Sequence, residues 1–210
     1  IGCYYNGSIR QAAASYAGEY APGYIDQNGV VKTDARFRIY KIKAGDNATT
    51  NPDYAAWGDM VPFGAPYVDT NNDGVYSPGV DIPGIKDAEQ TLFLCMTDGF
   101  PERHAVGEGF GGGTAPINAE VHLTLWGYNT QGLEDLQFVN WVVINKSNTT
   151  WERTFFSVIV DPDLGDATDD YIGCDTSAIS GNKDMAFCYN ADNIDGSGSP
   201  PSYGQSPPAS

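Results

Sequence analysis

At 210 residues with 41% apolar content, the chain is long enough to bury one substantial core, or two small ones, without relying on metals or disulfides alone. Lys and Arg number 11 against 27 Asp and Glu, a formal charge of -16, so the average surface repels phosphate backbones and anionic headgroups and argues against nucleic-acid or membrane-surface binding. No run reaches the roughly 18–20 apolar residues of a membrane span, and the start at Ile1, without signal-peptide regions, reads as a mature or excised piece.

In chain order, Cys3-Tyr4-Tyr5 and Ser8-Ile9-Arg10 flank Asn6-Gly7, the dipeptide that best tolerates a type I′ turn, and predict a hairpin. Arg36 to Lys43 alternates basic and apolar residues with a phase slip at Tyr40, which suits an edge strand with a bulge. From Asn47 to about residue 90 Pro, Gly, Asn and Asp predominate, so a loop-rich insertion is expected. Strands are predicted at Thr91–Met96, Glu120–Tyr128, Leu136–Asn145 and Arg153–Val160; the last two are apolar on both faces, as strands buried between layers are. No segment shows capped 3.6-residue periodicity. The expectation is an all-β, β-sandwich-like module over 1–195 with long Gly/Pro/Asp-rich calcium-binding loops, and an extended Gly/Ser/Pro tail over 196–210.

The sharpest local pattern is Asp69-Thr70-Asn71-Asn72-Asp73-Gly74-Val75-Tyr76-Ser77, followed by Asp81. Oxygens of Asp69, Asn71 and Asp73, the carbonyl of Val75, Ser77 and Asp81 could converge on Ca2+, with Gly74 allowing the sharp turn. Position twelve is Val80 rather than an acid, and Pro78 and Pro83 argue against flanking helices, so the loop is no EF-hand. The alternative is a metal-free loop of Asx turns. A second cluster, Asp161, Asp163, Asp166, Asp169, Asp170 and Asp175, has only Lys183 as a basic residue from Asp161 onward, and predicts a second calcium site. Asn190, Asp192, Asn193 and Asp195 form a weaker candidate that reads first as a solvated loop.

Cys3, Cys95, Cys174 and Cys188 lack CxxC spacing and have too few nearby His for zinc; disulfides are expected, Cys174 with Cys188 first, with buried free thiols as the alternative. Asn6, Asn47, Asn145 and Asn148 head Asn-x-Ser/Thr acceptors. With two His, no Gly-x-Ser-x-Gly elbow and no distinguished carboxylate pair, no catalytic residue is assigned and the chain does not read as an enzyme.

Gly64-Ala65-Pro66-Tyr67-Val68-Asp69 through Asp73-Gly74-Val75-Tyr76, Pro78-Gly79-Val80-Asp81, Asp161-Pro162-Asp163-Leu164-Gly165-Asp166 and Asp169-Asp170-Tyr171-Ile172-Gly173-Cys174-Asp175-Thr176 resemble stretches of large secreted proteins of the Bacteroidetes and Ignavibacteria group, which carry type IX secretion sorting domains. The resemblance implies export, surface attachment and repeated β modules, and names no substrate. In such proteins a Pro-Pro-Ala segment like Pro207-Pro208-Ala209 leads into further strands, so continuation beyond Ser210 is expected. Residues and resemblance together predict an extracellular, calcium-stabilised structural module, the self-assembling subunit of a glycosylated fibre or surface layer that joins copies of itself by strand addition. The alternative is a carbohydrate-binding or adhesion module displaying Tyr54, Trp57, Tyr67 and Tyr76; a glycoside hydrolase stands third.

Overall fold

The chain divides into two units, Ile1–Glu152 and Arg153–Ser210, a boundary inside the span that reads as one domain in the sequence. The computed structural model describes residues 3–5, 16–18, 20–103, 115–156, 164–166, 168–176, 185–196 and 204–205. The fold is all-β, and its named strands pair antiparallel. No described helix is long and apolar enough to cross a membrane.

The first unit contains β1 (Cys3–Tyr5), β2 (Tyr16–Gly18), β3 (Ala21–Pro22), β4 (Tyr24–Ile25), β5 (Val31–Lys32), β6 (Tyr40–Lys43), β7 (Tyr67–Val68), β8 (Ile82–Pro83), β9 (Gln90–Thr97), β10 (Ala119–Gly127) and β11 (Phe138–Asn145). Its main sheet runs β11-β10-β9, and the far side of β9 is shared by β6 along its first half and β3 along its second. The period-2 pattern sets which residues face the core. Thr91, Phe93, Cys95 and Thr97 are buried from β9, and Tyr40 and Ile42 from β6, whose Lys41 and Lys43 stay exposed.

Over that face lies a second layer built mainly of loop. A single helical turn, α1 (Pro52–Ala55), capped by the Asn51 side chain, leads into short 3-10 turns at Trp57–Asp59 and Val61–Phe63. These deliver Trp57, Met60 and Ala65 onto Tyr40, Ile42, Phe93 and Cys95. Trp57 is fully buried and its Nε1–H donates to the Pro66 carbonyl at 2.9 Å, so both its apolar body and its polar edge are satisfied. Phe37, stacked on Tyr24, closes the cluster.

Four strand expectations shift. β1 pairs with Tyr16–Gly18, so the connection spans 6–15 instead of a two-residue turn; Asn6-Gly7 and Ser8–Arg10 lie outside the described residues. Regular pairing begins at Tyr40 and not Arg36, because Asp34 grips Arg36 by a fork of hydrogen bonds and Arg38 lies over the Tyr40 ring while paired with Asp53. β11 is an edge strand among the described residues, with Val139, Trp141 and Val142 about half exposed, and not a strand between two layers. Of the strand read at Arg153–Val160, residues 153–156 are irregular and the rest lie outside the described residues.

The second unit contains β12 (Asp170–Asp175), β13 (Met185–Asn190), β14 (Ile194–Asp195) and β15 (Gly204–Gln205), paired as two hairpin-like ribbons.

Candidate functional site

The loop from Asp69 to Asp81 is pinched at its base, where β7 and β8 place Val68 opposite Ile82. Asp81, 2% exposed, accepts from the Thr70 N–H on Oδ1 (2.9 Å) and from the Ser77 N–H on Oδ2 (2.7 Å), and these amides hold its carboxyl below the usual range despite burial. Asp69 accepts from Asp73 N–H and Gly74 N–H, and Asp73 accepts from Val75 N–H and Asn71 Nδ2. Gly74 has φ +77 with open space around its missing Cβ, so backbone conformation alone calls for glycine there. Asp69, Asp73 and Asp81 share the loop without bringing their oxygens within 4.8 Å of one another, each carboxylate oxygen has a donor, and the loop closes on hydrogen bonds from its own amides. A carboxylate oxygen has two lone-pair sites, so the amide hydrogen bonds neither supply nor exclude a cation.

The acidic turn of the second unit is different. Register sets Asp170 opposite Asn190, with Asp169 just before the strand and its carbonyl accepting from Ala191 N–H. Leu164 N–H donates to Asp170 Oδ2 (2.6 Å), and Asp166 N–H donates to Oδ1 of Asp195 (2.7 Å), which is 4% exposed. Gly165, at φ +72, lies so close to Asp195 that a Cβ would run into its carboxylate. Among the described residues, three buried oxygens remain without a donor: Asp169 Oδ1, Asp170 Oδ1 and Asn190 Oδ1. Buried acceptors of this kind are costly unless something cationic or protic meets them. From residue 153 to 210 the sequence offers nine Asp against Arg153 and Lys183. A cleft of ≈ 280 Å³ lined by Asp166, Asp169 and Asp192 opens beside the turn. The available donors are all oxygen and the charge is negative, the chemistry a hard cation takes, but no three described acidic side chains of the turn bring oxygens within 4.8 Å of one another.

The membership of this cluster departs from the sequence reading. Asp175 ends β12 opposite Met185, five residues from Asp170 and roughly 17 Å away at the rise of a strand, so it belongs to the other end of the hairpin. Asp161 and Asp163 lie outside the described residues. Asn190 and Asp195, read from sequence as part of a solvated loop, join instead; the signal was their place at the return of a hairpin, visible once Asp170 is paired.

No disulfide joins Cys174 to Cys188. Cys174 lies opposite Ala186 and Cys188 opposite Ile172, making them diagonal neighbours. Diagonal pairs sit ~7–8 Å apart, beyond the reach of an unstrained bridge. Asn47, Asn145 and Asn148 are exposed, though Asn145 Nδ2 donates to the Thr149 carbonyl; Asn6 lies outside the described residues. Trp57 is core and not a displayed platform, and Tyr67 packs edge-on against Tyr76. Half-buried aromatic side chains lie instead at the end of the main sheet, where Trp126 and Tyr128, both packed on Phe138, line a ≈ 490 Å³ cleft with Glu89, Gln90, Glu134 and Leu136.

One constellation escaped the sequence reading. Cys95 and His122 are cross-strand partners, and Glu120 projects from the same face two residues along β10. Sγ of Cys95, a carboxylate oxygen of Glu120 and a ring nitrogen of His122 lie within 4.8 Å of one another, and among the described residues no other three His, Cys, Asp or Glu residues form such a group. Burial, and then the charge of Glu120, push the Cys95 thiol up to about 12, and the protonated thiol donates to the Gly23 carbonyl at 3.3 Å. Burial disfavours the Glu120 carboxylate, but His122, the Ile25 N–H and Lys146 more than offset it and hold its carboxyl below the usual range. Alternation of Glu120 and His122 along one strand was visible in sequence; their register against Cys95 was not.

No protein-family model, curated protein or solved structure matches the chain.

Proposed function

We propose that the protein is a non-catalytic, calcium-stabilised structural module of an extracellular bacterial scaffold. The observation that supports this reading is the set of three buried oxygens, on Asp169, Asp170 and Asn190, that have no donor among the described residues, in a unit with nine Asp and two basic residues. Calcium would be held by those oxygens, with Asp166 and Asp195 ordering the turn, and would supply the charge that lets the turn stay closed. The strand edge of β11 supports assembly: it is eight residues long and rich in half-exposed apolar side chains, and among the described residues its second edge is unpaired. Such an edge is a template for another copy of the chain.

The test is sedimentation velocity of the chelator-stripped full chain, with and without calcium. The reading expects compaction or assembly on adding calcium and none on adding magnesium at the same concentration. A protein whose sedimentation and melting ignore calcium contradicts it. A second reading, glycan binding, is favoured by the cleft that Trp126 and Tyr128 line together with Glu89 and Glu134, an aromatic and polar lining of the kind small-ligand sites use. A glycan array with wild type and Trp126→Ala separates the two, because only the glycan reading predicts selective binding that the substitution abolishes.

A further inference from the structure

Independently of the calcium reading, we propose that Cys95, Glu120 and His122 form a binding site for one divalent cation of the zinc class. The strands themselves assemble the ligands. Cys95 and His122 are register partners on β9 and β10, Glu120 stands next on the same face, and all three ligand atoms fall within 4.8 Å of each other. Thiolate, imidazole and carboxylate together are the donor set of zinc and its soft neighbours, and unlike the all-oxygen turn of the second unit they do not suit calcium.

The surroundings are arranged as an outer shell. The Ile25 N–H (2.9 Å) and Lys146 (3.5 Å) both engage Glu120 Oε2, which leaves Oε1 turned to His122 Nε2 at 2.9 Å. A cation entering between them would exchange that hydrogen bond for two coordinate bonds. Phe63 and Phe93 pack against the His122 ring and fix its plane. Cys95 is fully buried and Glu120 is 2% exposed, so a dication balanced by one thiolate and one carboxylate gives a neutral centre, which the interior tolerates. Lys146, at 30% side-chain exposure, can carry its charge to solvent. Access comes through a ≈ 470 Å³ cleft lined by Asp26, Phe63, Glu120, His122 and Lys146; with three protein ligands, a water would complete the coordination.

Loading breaks the Cys95 S–H bond and forms the sulfur–metal bond, and the thiol proton leaves through the cleft to solvent; the proton that His122 Nε2 shares with Glu120 leaves that nitrogen as the metal binds there, and the neutral ring takes one up on Nδ1, so the imidazole adds nothing to the balance. One proton is released per ion bound. The site would tie the two central strands of the first unit together.

The experiment titrates Co2+, then Zn2+, into the chelator-stripped, reduced full chain kept in saturating calcium, so that failure here leaves the calcium reading untouched. The expected result is one Co2+ per chain with a thiolate-to-cobalt charge-transfer band, displaced by Zn2+, and one proton released. Cys95→Ala should abolish the band, and His122→Gln should weaken binding by at least about 100-fold. His122 lines the cleft, so His122→Gln keeps the test decisive if Cys95→Ala does not fold. Absence of a thiolate band, a band that survives in Cys95→Ala through Cys3, Cys174 or Cys188, or unchanged affinity in His122→Gln would overturn the proposal.

Discussion

Asp170→Asn should stabilise the protein without calcium and destabilise it, relative to wild type, with calcium. Asp170 Oδ2 accepts the Leu164 N–H, while Oδ1 is buried without a donor, opposite Asn190 whose Oδ1 is in the same state. The substitution keeps one acceptor for Leu164 and turns the orphaned oxygen into a donor beside an orphaned acceptor. A buried polar atom left unpaired costs ~1–3 kcal/mol, so in chelator the variant should gain about that much. For a unit of 60–100 residues this corresponds to roughly 4–8 °C per kcal/mol. With calcium at 100 times its Kd the wild type gains about 2.7 kcal/mol by linkage, most of which the variant forfeits with its carboxylate ligand. Differential scanning calorimetry of both full chains in chelator and in calcium gives the ranking directly. The same ranking in both buffers, or a variant less stable in chelator, would refute the reasoning.

Trp57→Ala should cost ~3–5 kcal/mol in urea unfolding, since it empties the centre of the first unit's core and orphans the Pro66 carbonyl; a cost under about 1 kcal/mol would mean that the loop layer is not packed on the sheet. Gly165→Ala should lower the transition that responds to calcium, because it puts a Cβ into the Asp195 carboxylate and asks alanine to hold φ +72; calcium affinity equal to wild type would show that Asp195 does not order the turn. Trp141→Lys, on the exposed edge strand, should remove concentration-dependent association in analytical ultracentrifugation while leaving melting unchanged; assembly that persists places the contact elsewhere.

The parts of this fold that sequence made legible are those governed by local alternation. β9, β10 and β11 fall within two residues of their expected ends because continuous or alternating apolar runs of strand length stand there between turn residues. What escaped depends on register or on loops packing at a distance. That Trp57 is interior follows from a turn at Ala56 and a bond to Pro66, neither of which has a sequence signature. Asp69, Asn71, Asp73 and Asp81 lie in one loop, but which donors meet their oxygens depends on amides of Thr70, Gly74, Val75 and Ser77 that only the folded backbone brings into place. The acidic turn reversed in membership for the same reason: Asp175 is near Asp170 in sequence and far along the strand, whereas Asn190 is distant in sequence and directly opposite. Cys95 and His122 are 27 positions apart by their numbering and adjacent across the sheet.

A crystal structure grown in saturating calcium, with an anomalous difference map, tests the central claim most directly. The account predicts an ion peak bonded to Asp169 Oδ1, Asp170 Oδ1 and Asn190 Oδ1. A map without that peak, in which those oxygens meet protein donors or ordered water, would contradict it.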